Sequence, residues 1–163
     1  MRSTTRSDEA ATANTVVLER HLRAPPERVY RAFLEPDAME KWLPPHGFTG
    51  KVHEIDARVG GSYRMSFTNF GTGTSHSFRG DYVELKPHRT IRYVDRFDDP
   101  GLPGEMEVSI HLRPTRAGCF VQITQTGIPS AIPVEFATMG WQESLLQLAA
   151  LVEPSIPDGP PEG

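Results

Sequence analysis

PVEFATMGWQESLLQLAALV, from Pro133 to Val152, is the stretch that decides the fold. Its apolar residues recur at the spacing of a single helical face. The residues on this face are Val134, Trp141, Leu145, Leu148 and Val152. We therefore predict an amphipathic helix about 30 Å long, at roughly 1.5 Å per residue. Pro133 suits its first turn, and Pro154 ends it.

Most of the chain before this helix alternates with the period of two that is typical of strands. The predicted strands are residues 15–23, 49–57, 61–70, 74–85, 89–97, 105–114 and 118–126. Short Gly- and Pro-containing loops separate the last six strands, which favours an antiparallel meander. Stretches that begin at Pro26 and Pro36 predict two short helices between the first two strands. The predicted fold class is α+β, with a curved antiparallel seven-stranded sheet and a long C-terminal helix across its apolar face.

The composition excludes several classes of function. A chain of 163 residues fits one domain, which we predict at 15–153 between tails at 1–14 and 154–163. The net charge of −4 does not favour a nucleic-acid partner. The single cysteine, Cys119, excludes an internal disulfide framework and fits a reducing compartment. No stretch has the length or apolar character of a membrane span or a secretion signal, so we expect no membrane partner and a cytoplasmic location.

Four stretches carry a resemblance to a known family. They are PPERVYRAFLEPDAMEKWLPP, GFTGKVHEIDARVGGSYRMSF, RTIRYVDRFDDPGLPGEMEVSI and GWQESLLQLAALVE. Together with the order of elements, they resemble the activator-of-heat-shock-ATPase-like branch of the helix-grip superfamily that contains START domains and the birch-pollen allergen. The resemblance covers roughly residues 15–153.

The resemblance implies a cavity between sheet and helix, which superfamily members use for small apolar ligands or for cyclase or hydrolase chemistry. We expect no tightly bound cofactor. The co-chaperones that give the branch its name carry an additional chaperone-binding domain. A chain of this length has no room for that domain, so we do not expect a chaperone partner.

Aromatic and methionine side chains are more numerous than one helix face needs to cover. Ligand cavities are mostly apolar with a few placed polar groups, and methionine adapts to irregular shapes. We therefore predict that a small apolar or amphipathic molecule contacts this set, although ordinary core packing is the expectation for any single member. The set is Trp42, Phe48, Tyr63, Met65, Phe67, Phe78, Tyr93, Phe97, Met106, Met139 and Trp141.

Asp95 and Gln125 are polar at positions where the strand pattern is apolar. Asp95 shares parity with Tyr93 and Phe97, and Gln125 shares parity with Ile123. Both side chains are predicted to point towards the helix, unless a bulge shifts the register. A buried carboxyl or amide needs a partner, so each must be hydrogen-bonded, reach solvent at the cavity mouth or meet a ligand.

Three residues are candidates for acid or base catalysis if the protein is an enzyme: His46, Asp95 and Glu105. His46 lies in the turn between the second short helix and the next strand, where an exposed loop histidine is the alternative. His76 shares parity with Phe78 and is also predicted to face inward. The six histidines form no HxH or HxxxH pair, so we expect no metal site.

Two expectations concern protein partners. Arg64, Arg92 and Arg96 share the opposite sheet face, where they form either a docking patch or an ordinary solvated surface. The strand edges of an open sheet and the loop around Leu102 and Pro103 are compatible with a homodimer.

Overall fold

The computed structural model describes residues 14–159, in which seven strands and three helices form one sheet with a helical layer. The strands are β1 Val16–Leu22, β2 Phe48–Ile55, β3 Ser62–Asn69, β4 Ser75–Lys86, β5 Thr90–Phe97, β6 Met106–Thr115 and β7 Gly118–Thr126. The helices are α1 Pro26–Leu34, α2 Pro36–Trp42 and α3 Val134–Val152. This order confirms the predicted helix-grip fold. Residues 1–13 and 160–163, predicted as parts of the tails, lie outside the described residues.

The sheet is antiparallel throughout, with the strand order β1-β7-β6-β5-β4-β3-β2. Consecutive strands from β2 to β7 pair with one another, whereas β1 pairs with β7. Helices α1 and α2 therefore carry the chain from one edge of the sheet to the other. The edge strand β1 contacts α3, and the edge strand β2 contacts α2. These contacts lie within a single chain and do not test the homodimer, which stays a prediction.

The two short helices are joined through Trp42. Its indole N–H donates to the carbonyl oxygen of Ala32 at 2.7 Å, and its ring meets that of Phe33 edge-on, with centroids 4.7 Å apart. The Trp42 side chain is fully buried. This contact fixes the position of α2 relative to α1.

Helix α3 is held against the rest of the domain along its C-terminal half. Leu145, Leu148 and Val152 are buried there, as the helical period predicts. The Ser144 hydroxyl donates to the carbonyl oxygen of Leu43 at 2.6 Å. The carbonyl oxygen of Val152, at the end of the helix, accepts a 2.8 Å hydrogen bond from Arg28.

The N-terminal half of α3 is less deeply buried. From Val134 to Glu143 every residue is exposed or half-buried, and the first fully buried residue of the helix is Ser144. Pro133 lies just before the helix and has an extended conformation, so the helix begins one residue later than predicted. This part of α3 therefore packs less tightly against the rest of the domain than the C-terminal half does.

The burial of the inward face of α3 can be tested with two adjacent leucines. Leu145 is 3% exposed and Leu146 is 51% exposed. We expect Leu145→Ala to lower the free energy of unfolding by about 2 to 5 kcal/mol, because it removes buried methyl groups and leaves a void. Leu146→Ala is the matched control and should change it by about 0.5 kcal/mol or less. Equal losses in urea denaturation would contradict this packing.

Candidate functional site

A cavity of about 410 Å³ lies between the sheet and the N-terminal half of α3. Eight of the 21 lining residues come from strands β3, β4 and β5, and α3 covers the cavity through one helical face. The residues of that face are Ala137, Gly140, Trp141 and Ser144. Exposed or half-buried lining residues such as Pro45, Phe48, Phe67 and His76 place the mouth near the β3–β4 hairpin.

Aromatic side chains dominate the lining. They are Phe33, Phe48, Tyr63, Phe67, Phe78, Tyr82, Tyr93, Phe97 and Trp141. Neighbouring rings meet edge-on: the centroids of Tyr63 and Tyr93 are 5.6 Å apart, and those of Phe67 and Phe78 are 4.9 Å apart. Such edge-to-face pairs restrict each ring, so the wall has a defined shape.

Asp95 is the buried carboxyl group of the cavity. It is 6% exposed, and its Oδ2 accepts a 3.1 Å hydrogen bond from the Tyr63 hydroxyl. Its Oδ1 is buried and has no hydrogen-bond partner. One carboxyl oxygen is therefore left for a molecule inside the cavity.

Gly80 makes the contact between Tyr63 and Asp95 possible. It lies between them in the sheet, paired with Tyr63 on β3 and with Asp95 on β5. A Cβ at this position would clash with the Tyr63 ring. The absent side chain lets the ring cross β4 and reach the carboxyl group two strands away.

The protonation of Asp95 changes near neutral pH. Burial raises the pKa of its carboxyl group from 3.8 to about 7, although the hydrogen bond from Tyr63 and an interaction with its own backbone N–H lower it. Burial and the nearby Asp95 raise the pKa values of Tyr63 and Tyr93 well above their ordinary value of 10.0. The two phenols are therefore neutral hydrogen-bonding groups at physiological pH.

Gln125 lies on the same sheet face and already has two polar contacts. Its Oε1 accepts a 2.8 Å hydrogen bond from the Trp141 indole N–H, and its Nε2 lies 3.3 Å from the sulfur of Met106. Met106 is in turn the β6 partner of Asp95. The amide thus ties α3 to the sheet at the cavity wall.

The structure brings ten of the predicted ligand-contact residues together around the cavity. They are Phe48, Tyr63, Phe67, Phe78, Tyr93, Asp95, Phe97, Met106, Gln125 and Trp141. His76, also predicted to face inward, lines it as well.

Three other predicted contact residues do not line the cavity. Trp42 and Met65 are fully buried in the core, where Trp42 joins the short helices and Met65 packs with Met39 and Tyr82. Met139 is 50% exposed because it lies beside the inward face of α3 rather than on it. These positions correct their prediction as cavity-wall residues.

Two of the three catalytic candidates also lie outside the cavity lining. His46 is exposed, and its Nδ1 lies 3.3 Å from a carboxylate oxygen of Glu143 on α3. Glu105 is exposed and faces Arg96 across 3.9 Å. Asp95 alone of the three is in a position to contact a molecule in the cavity.

The outer-face arginines have acidic neighbours. Arg92 pairs with Glu107 at 2.7 Å, and Arg96 pairs with Asp81 at 3.3 Å. Arg64 lies 3.9 Å from Asp98. This mixed charge is typical of a solvated face and gives little support to a basic docking patch.

Several lining residues were not predicted from the sequence. Tyr82 shares the parity of Phe78 and was recognisable by that signal, whereas Ile128 and Ile132 come from the loop before α3, which has no periodicity. Phe33 and Met39 lie on the apolar sides of the two short helices. Leu43, Pro45, Ala137, Gly140 and Ser144 complete the set.

Residues 14–159 lack two further kinds of feature. No cluster of His, Cys, Asp and Glu there has the arrangement of a metal site. None of the three helices in this range combines the length and apolar character needed to cross a membrane.

Solved structures show the same fold. A crystal structure of a protein from Chromobacterium violaceum has 60% sequence identity and a TM-score of 0.86, and the match covers 87% of this chain and 99% of that chain. A Nitrosomonas europaea protein has 21% identity and a TM-score of 0.71, covering 85% of this chain and 94% of that chain. A Rhodobacter sphaeroides protein has 20% identity and a TM-score of 0.74, covering 86% and 93% respectively. At the lower identities the similarity shows the fold alone.

Sequence comparison gives the family. A search of the curated proteins finds no match. The family model described as "Activator of Hsp90 ATPase homolog 1-like protein" matches residues 23–153. Since the match runs from the end of β1 through all three helices, the chain belongs to the family of activator of Hsp90 ATPase homolog 1-like proteins.

Proposed function

We propose that this protein binds a small, largely apolar molecule in the cavity between the sheet and α3. The observation that carries the proposal is the aromatic lining around Asp95, whose Oδ1 is buried and without a partner. Ligand sites typically have volumes of about 300 to 1,000 Å³, apolar walls and a few placed polar groups. The cavity of about 410 Å³ fits that description.

A buried polar atom without a partner is costly, which supports a role for Asp95 in binding. Leaving such a group unsatisfied costs about 1 to 3 kcal/mol, and more for a charged group. A molecule that supplies a hydrogen bond to Oδ1 removes this cost, whereas a purely apolar molecule does not. The proposed ligand therefore has an apolar body and one polar end.

A second candidate function is catalysis in the same cavity. The observation that favours it is the Asp95 pKa of about 7, which suits a general acid or base at neutral pH. A binding protein releases its ligand unchanged, whereas an enzyme converts it. Native mass spectrometry of the purified protein, followed by extraction and repeated incubation of the extracted molecule with fresh protein, distinguishes the two.

Gly140 offers a way to fill the cavity without disturbing the fold. It lines the cavity from α3, and a Cβ built on it meets no atom within 4 Å. We expect Gly140→Phe to weaken binding of a neutral aromatic probe, 1-naphthalenemethanol, by about tenfold or more, equivalent to about 1.4 kcal/mol. Its stability should not fall, because replacing glycine inside a helix gains up to about 1 kcal/mol.

The matched control is Met139→Phe, which adds the same ring at the neighbouring, 50% exposed position. Isothermal titration calorimetry should give it the parent's affinity within about twofold, since surface changes are small. Equal binding by the parent and Gly140→Phe would show that the probe binds elsewhere. No binding by the parent would count against the proposed function.

Asp95→Asn should stabilise the empty protein at alkaline pH. The pKa of Asp95 is raised on folding, so its protonated form stabilises the folded state fully below pH 3.8. That contribution is lost as the pH rises towards and through about 7, because the unfolded chain ionises first. Asparagine stays neutral and avoids the loss, which is at most about 4 kcal/mol at 1.36 kcal/mol per pKa unit.

Chemical denaturation of the parent and Asp95→Asn at several pH values measures this effect. The difference between the two should be small at about pH 4 and should grow until about pH 8. Taking the difference cancels the contribution of groups such as Asp98, whose pKa is lowered by hydrogen bonds and nearby arginines. A difference that does not change with pH would rule out a raised pKa for Asp95.

A further inference from the structure

We infer that the molecule held in the cavity is a hydrophobic amine, whose ammonium group meets Oδ1 of Asp95 while its apolar body lies among the aromatic rings. This inference rests on the proposed function and specifies its ligand class. It excludes fatty acids and other apolar carboxylates as preferred ligands.

The charges of the lining are the first argument. Among the described residues that line the cavity, Asp95 is the one carboxyl group and His76 the one imidazole, and neither lysine nor arginine is present. An anionic head group would lose its water inside the cavity and gain no cationic side chain in return, which is costly. A cationic head group would gain a carboxylate.

The hydrogen bonds of Asp95 are the second argument. Oδ2 already acts as an acceptor, since the Tyr63 hydroxyl donates to it at 3.1 Å. Oδ1 is buried and unpartnered, and the residue lines the cavity. An ammonium group donates to such an oxygen and forms a charge-assisted hydrogen bond, which is stronger than a neutral one.

The surrounding groups are the third argument. Tyr93 and Phe97 flank Asp95 on the same face of β5, and Tyr63 touches it from β3. Aromatic rings attract a nearby cation through their electron-rich faces, most strongly when water is excluded. Gln125 is engaged by Trp141 and Met106, so its amide does not compete with Asp95 for the polar end.

The other titratable groups facing Asp95 favour one direction of pH dependence. Tyr63, Tyr82 and Tyr93 have raised pKa values because they are buried, so they remain neutral. Protonation of Asp95 removes the charge that attracts an amine, and His76 is the other ionisable side chain at the mouth. Acidification therefore weakens amine binding, and a variant at His76 separates the two contributions.

The test uses three probes with one apolar body: 1-naphthylmethylamine, 1-naphthalenemethanol and 1-naphthoate. Calorimetric titrations at about pH 8 should rank the amine above the alcohol by about tenfold or more, the range for one hydrogen bond to a charged group. The carboxylate should bind more weakly than the alcohol. Asp95→Asn should remove the preference for the amine and leave alcohol binding within about threefold, since only the charge is lost.

The pH dependence gives a second readout. Between about pH 8 and pH 6 the amine should lose about tenfold in affinity, as expected for one group with a pKa near 7. The amine stays largely protonated over this range, although its aromatic ring makes it less basic than lysine. His76→Gln should keep this dependence, and Asp95→Asn should lose it.

The outcomes separate the inference from the proposed function. If the alcohol binds and the amine has no advantage, or if the carboxylate binds best, the amine inference is overturned and the apolar cavity function stands. If the advantage of the amine persists in Asp95→Asn, the assignment to Oδ1 is overturned. If none of the three probes binds, the proposed function fails and the inference fails with it.

Discussion

The packing of the C-terminal half of α3 against the sheet is the constraint on which the rest of the structure depends. Leu145, Leu148 and Val152 bury their side chains there, and Ser144 and Gln147 donate to carbonyl oxygens at the end of α2 and the residues after it. A straight helix laid across a curved sheet cannot contact the sheet equally along its whole length. The cavity under Trp141 follows from this geometry.

The cavity and its buried carboxyl group both lower the stability of the folded protein. An open space beneath a helix loses packing contacts, and a buried carboxyl group with a free oxygen carries a desolvation cost. The core must offset both. It does so through fully buried aliphatic residues elsewhere, among them Leu22, Val108, Ile110 and Ile123, which pack with the C-terminal half of α3. The candidate site therefore depends on core packing elsewhere in the same domain.

Much of the fold, and part of the site, could be predicted from the sequence because strand parity is a local property. No register shift interrupts the pairing of Asp95 with its neighbours or that of Gln125, so both lie on the predicted face. Glu105 shares the outward parity of Glu107, and that pattern already argues against it as a cavity residue.

The other cavity residues and contacts could not be predicted, because they depend on how the elements pack in three dimensions. Met139 and Gly140 are adjacent on α3, but Gly140 lines the cavity and Met139 is half exposed. The rotation of the helix about its axis decides which of the two faces the sheet. Ile128 and Ile132 reach the cavity from a loop, where no periodicity reports direction. The hydrogen bond from Tyr63 to Asp95 spans two strand spacings and relies on the missing side chain of Gly80, which no pattern along one strand reveals.

The most direct test of the account is the pKa of Asp95 in the empty protein, measured by following its side-chain carboxyl carbon during an NMR pH titration. We expect a pKa of about 7 for the Asp95 carboxyl group. We also expect a further rise in Tyr63→Phe, because the hydrogen bond from Tyr63 lowers the pKa. A pKa near the ordinary value of 3.8 in the parent protein would mean that the carboxyl group is solvated, and would contradict a buried, half-satisfied Asp95 as the polar centre of the cavity.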